Sequence, residues 1–196
     1  MILGMQIIGE HYHVYNRGAH KAPIFQDKSD YERFWALLYV ANDTKPLKRH
    51  WTNYHAWPNI VIKEKLVDIF CYCLMPNHFH LGLVEISESG IELFMHKVSI
   101  AYTMYYNKKY DHSGTIFQGR YKSKHIDNDG YLKILIEYIH LNPYGIEGPD
   151  LNKYSKPEYY IAAAEYSKSY EYSSYMDYLN NIRPQNSILT VRYVGD

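Results

Sequence analysis

The stretch Met75–Leu81, MPNHFHL, constrains this chain more than any other. It follows DIFCYCL and precedes GLVE, runs of aromatic and aliphatic residues that favour strands. Pro76 and Asn77 suit a tight connection, so strands over Val67 to Leu74 and His78 to Glu85 are expected to lie side by side, antiparallel. In the second strand His78 and His80 are two residues apart and share a face. Two neutral imidazoles so placed can hold a divalent metal, and can equally be structural. The pattern alone does not choose.

The flanking chain builds outward from this pair. QIIGEHYHVYNRG, Gln6 to Gly18, alternates polar and apolar residues and reads as a strand and a turn. His11 and His13 form a second same-face pair there, read as the polar face of an early strand. Ser29 or Asp30 is expected to cap the helix YERFWALLYVAN. Asp43 to Lys65 reads as a loop or extended insertion. Beyond Ser87-Glu-Ser-Gly, Ile91, Phe94, Met95, Val98 and Tyr102 recur at helical spacing. TIFQGRYKSKHI is short and strand-like, and Asp127 is expected to cap NDGYLKILIEYIHL, which stops before Pro143. The order β-α-β-β-α-β-α gives an α+β fold, a ferredoxin-like antiparallel sheet with helices on one face and one extra helix. From Asn152 the chain reads as polar, tyrosine-rich helix, broken at Arg183-Pro184, with a strand-like end at ILTVRYV.

The extra helix carries a second set of reactive groups. In EYIHLNP, Tyr138 and Asn142 are four apart and share a helical face. Asn142 offers a hard amide oxygen, and a metal-activated Tyr138 could attack a phosphodiester. The alternative is a packing tyrosine and a C-terminal cap before Pro143. Between the histidines and this helix, Lys97, Lys108, Lys109, Arg120, Lys122 and Lys124 face a single acidic residue, Asp111, over His96 to His125. A solvated helix face explains the lysines of the helix. It explains RYKSK less well, where alternating Arg120, Lys122 and Lys124 put three cations on one strand face. Formal net charge is zero, so any nucleic-acid contact comes from such a local patch, and 23 tyrosines supply stacking surface. No apolar run is long enough to span a bilayer. The start of the chain lacks a basic n-region, and Cys71 and Cys73 are too poorly placed to bridge, so a reducing cytoplasm is expected.

Four segments, HYHVYNRG, CLMPNHFHLGLV, IFQGRYKSKHI and YLKILIEYIHLNP, together resemble the single-tyrosine HUH transposases, most closely the REP-associated tyrosine transposases. YEYSSYMDYL is a weaker fifth, with Tyr172 where that family often has tryptophan. The resemblance implies that His78, His80 and Asn142 ligate Mg²⁺ or Mn²⁺ and that Tyr138 is the nucleophile. It implies cleavage and rejoining of single-stranded, hairpin-forming DNA through a 5′-phosphotyrosine, by a monomer or homodimer. Arg17, Lys97, Arg120, Tyr121, Lys122 and Lys124 are the expected DNA contacts. Residues 1–150 would form the catalytic domain and 151–196 a mainly helical extension packed on it. Gly82 stands where the family has a larger aliphatic residue, which is expected to loosen the packing under the histidines.

Overall fold

Pro76 and Asn77 reverse the chain in two residues, and Met75 pairs directly with His78. The computed structural model describes residues 6–47, 54–147 and 157–190. Its strands are β1 (His11–Arg17), β2 (Val67–Met75), β3 (His78–Glu85) and β4 (Lys122–Ile126). They form one antiparallel sheet in the order β2-β3-β1-β4, the ferredoxin-like arrangement. Helices α1 (Lys28–Val40) and α2 (Gly90–Tyr110) cover one face. Phe34, Leu38, Phe94, Val98 and Tyr102 meet Val14, Phe79 and Leu81 there, all inaccessible to solvent. Each such side chain contributes roughly 1.5–3 kcal/mol by leaving water.

Helix α3 (Asp129–Leu141) lies on the other face. Leu132, Leu135, Ile136 and Ile139 pack there with Cys71, Cys73, Val84 and Ile126. This second layer converts the histidine face of the sheet into an interior surface. Gly82 sits under it without leaving a void. A Cβ at that position would lie 2.3 Å from Phe70 Cε2 and 2.7 Å from Cys71 Sγ. The register of β2 shifts between Ile69 and Cys71, at Phe70, whose ring takes the space, so the expected loosening does not occur.

Helix caps differ from expectation by one to three residues. Asp27, not Ser29 or Asp30, is the N-cap of α1; it accepts from the amides of Ser29 and Asp30, and Asp30 answers in a capping box. Asn128, not Asp127, caps α3 by accepting from the Tyr131 amide at 2.8 Å. At α2 the role passes to a distant residue, the buried Glu85, whose carboxylate accepts from Gly90 N at 2.7 Å and Ile91 N at 3.0 Å. The strand-like segment begins only at Lys122, so Arg120 precedes β4 and pairs with Glu92 at 2.8 Å.

After α4 (Pro157–Lys168), on either side of the single turn α5 (Tyr175–Tyr178), the chain runs along the outer edge of β2. Leu74 N donates to Tyr172 O, Ser174 N to Tyr72 O and Thr190 N to Ile69 O, which covers an edge that would otherwise be open to pairing. The Tyr172 ring stacks on Tyr31 at 3.6 Å. Arg183 ends this run and a 3-10 turn begins at Pro184, where the sequence broke. Of the strand-like ILTVRYV, residues 191–194 lie outside the described residues. Among the described residues no helix is long and apolar enough to cross a membrane.

Candidate active site

Strand register decides which groups meet on the α3 face. His80 lies between Tyr15 of β1 and Cys73 of β2, and His78 between Arg17 and Met75. Lys122 of β4 pairs with Tyr15 and extends the row. The imidazoles of His78 and His80 are 5.1 Å apart between ring centres. From α3, the Tyr138 ring stands edge-on to His80 at 5.5 Å, and Asn142 Oδ1 lies 3.4 Å from His78 Nε2. The two sets of residues that the sequence presented separately form one cluster.

Each imidazole is held from behind. His78 Nδ1 is 2.6 Å from Asn77 Oδ1, and with the proton on Nδ1 the Nε2 lone pair is free on the Asn142 side. His80 Nδ1 is 2.8 Å from His13 Nε2. Burial lowers the pKa of His78, and lowers that of His80 well below the usual histidine range, with His13 and His78 adding to the effect. Both imidazoles are therefore neutral and able to donate a lone pair. Two neutral imidazoles and an amide oxygen are donors that a divalent ion of the Mg²⁺ or Mn²⁺ kind accepts. Among the described residues no group of three or more His, Cys, Asp and Glu could hold a metal. Burial raises the pKa of Tyr138, and the neighbouring Asn142 side chain works in the opposite direction.

The cluster floors a cleft of about 940 Å³. Arg17, Lys21, Arg120 and Lys122 line it, as do Tyr15 and Tyr138, and among the described residues no carboxylate does. A chain of zero net charge thus concentrates positive charge around one site. The other expected DNA contacts lie elsewhere. Lys97 projects from α2, and its ammonium donates to the carbonyls of Asp43 and Lys45. Tyr121 is buried against the α1–α2 core. Lys124 is exposed and donates to the Tyr131 hydroxyl at 2.7 Å. His13 and Tyr15, by contrast, belong to the site. Alternation along HYHVYNR puts both on the face of Arg17, a signal that acquires meaning once β1 is paired with β3.

A basic cleft on a four-stranded antiparallel sheet offers complementary charge to a polyanion, and comparison with known families names the class. The family described as "Transposase IS200 like" matches residues 7–142, and the chain belongs to that family of DNA-binding transposases. The match ends on Asn142, the last residue of the cluster. Among solved structures, the chain is similar to one described as a REP-associated tyrosine transposase bound to a REP hairpin, with a TM-score of 0.52 and 11% identity. That likeness covers 97% of this chain and 88% of the other, and at such identity it speaks for the fold. No curated protein matches the chain.

Proposed function

We propose that this transposase cuts and rejoins single-stranded, hairpin-forming DNA through a covalent 5′-phosphotyrosine on Tyr138. One observation carries the reading: Tyr138 stands 5.5 Å from His80, with Asn142 beside His78, at the floor of a cleft lined by Arg17, Lys21, Arg120 and Lys122. Mg²⁺ or Mn²⁺ held by His78, His80 and Asn142 would supply Lewis-acid polarisation of the scissile phosphate and favour the phenolate. That help matters because burial makes the Tyr138 phenol harder to ionise.

In the proposed step the Tyr138 oxygen forms a bond to phosphorus and the P–O3′ bond breaks. The phenolic proton is lost to solvent, and the leaving oxygen takes up a proton to become a free 3′-hydroxyl. Rejoining reverses this, with a 3′-hydroxyl attacking the phosphotyrosine. Arg17, Lys21, Arg120 and Lys122 would hold flanking phosphates, and the exposed part of Tyr15 offers a ring for an unpaired base. The free, buried thiols of Cys71 and Cys73 suit a reducing cytoplasm.

Incubation with labelled single-stranded hairpin DNA and Mn²⁺, followed by a denaturing gel, tests the proposal. A metal-dependent band of protein-linked DNA that Tyr138→Phe loses is the expected result. Cut DNA without that band would point to hydrolysis by water, and uncut DNA to a binding protein that has lost the reaction.

A further inference from the structure

His13 is a buried titratable group of the cluster that neither the proposed metal set nor the proposed chemistry uses. Its Nε2 is 2.8 Å from His80 Nδ1, and the two rings are stacked with centres 5.0 Å apart. It also stands edge-on to Tyr138 at 6.1 Å. A contact between two ring nitrogens needs one proton, so one imidazole donates and the other accepts. Metal-binding histidines are commonly held by a carboxylate or a carbonyl on the second nitrogen. His80 has another imidazole instead.

Resting on the reading that His80 is a metal ligand, we propose that His13 is a positioning residue that fixes the tautomer and the angle of His80. The Nδ1–H of His80 donates to the Nε2 lone pair of His13, so His13 carries its own proton on Nδ1 and the His80 Nε2 lone pair is left for the ion. The placement follows from register. His13 lies opposite Gly82, and its Cα partner carries no side chain, so its ring can lean along the sheet to the neighbouring His80. A larger residue at 82 would collide with Phe70 and Cys71, and this glycine therefore serves the histidine pair as well as the packing beneath it. An acceptor without charge also leaves the site carrying no negative side chain near the incoming phosphate.

Two measurements on the intact chain test the assignment. Nitrogen-15 spectra of the imidazoles, recorded without metal, should find the proton of His80 on Nδ1; a proton on Nε2 in the unaltered protein would overturn the proposal. Titration with Mn²⁺ alone should find His13→Leu weakened about 10- to 100-fold, the range expected when such a partner is lost. His13→Gln, whose amide oxygen can accept the same hydrogen bond, should recover most of that affinity. Equal losses in both variants, or no loss in His13→Leu, would contradict the role. If the unaltered protein binds no Mn²⁺, the metal reading itself falls and this inference with it. If His78→Ala abolishes binding but His13→Leu does not change it, the metal reading stands and only the role of His13 is lost.

Discussion

His78 Nε2 and Asn142 Oδ1 stand 3.4 Å apart, although 64 positions separate them in the chain. The contact joins the first residue of β3 to the C-cap of α3, the helix on the other face of the sheet. Replacing Asn142 by alanine should therefore remove an oxygen donor without touching either imidazole. Mn²⁺ affinity is expected to fall at least about tenfold, by analogy with the loss of metal-orienting partners, while metal-free DNA binding is kept. Equal Mn²⁺ affinity in the variant would remove Asn142 from the donor set.

The basic cleft makes a prediction about salt. Lys122 lines the cleft, whereas Lys97 is spent on the carbonyls of Asp43 and Lys45. Lys122→Ala should weaken hairpin DNA binding and reduce the slope of log affinity against log salt by about 1. Lys97→Ala should leave that slope as it is. Binding isotherms at several salt concentrations measure both, and the reverse ordering would move the DNA path to the other side of the sheet.

The carboxyl-terminal run is fastened by a buried ion pair. Asp177 is inaccessible, and Arg183 donates to it from Nε at 2.8 Å and also from Nη2, while Nη1 reaches Glu171 O. Asp177→Ala leaves a largely buried guanidinium without its partner, which costs about 3–5 kcal/mol. Chemical denaturation should register that loss. A change under about 0.5 kcal/mol, the size of an ordinary surface substitution, would show the pair to be ornamental.

Acid sensitivity has an identifiable source in His140. It is buried with Nε2 2.8 Å from Ser174 Oγ, and burial lowers its pKa to about 3. An unfolded histidine titrates near ~6.5. Between these values the unfolded chain binds a proton that the native state refuses, so stability falls as pH drops through that window. By about pH 4.5 the loss from this one group is expected to reach roughly 2–3 kcal/mol. His140→Gln should flatten that part of the acid limb, while the limb due to His13, lowered to about 4 by burial and by Lys124, persists. An identical pH dependence in the variant would contradict the assignment.

What the chain revealed in advance was its local content. The turn at Pro76-Asn77, the paired histidines and the Tyr138–Asn142 face are all set by spacings of four residues or fewer. Cap residues slipped by one to three positions because Asp27, Ser29 and Asp30 are all competent caps, and the capping box pairs Asp27 with Asp30. The role of Glu85 at the start of α2 could not be read from any cap motif, since its carboxylate arrives from the end of a strand. His13 was legible as a same-face residue but not as a partner of His80, because that depends on β1 lying beside β3 in one register. Lys97 was legible as part of the basic segment His96 to His125. Its engagement by two backbone carbonyls is a tertiary fact.

The central claim is that one particular phenol among 23 tyrosines carries the chemistry. Proteolysis of the DNA–protein adduct formed with Mn²⁺, followed by tandem mass spectrometry, locates the modified residue directly. The account predicts a nucleotide remnant on the peptide that contains Tyr138, linked through a 5′-phosphate. A remnant on Tyr15 or on any other tyrosine would contradict it.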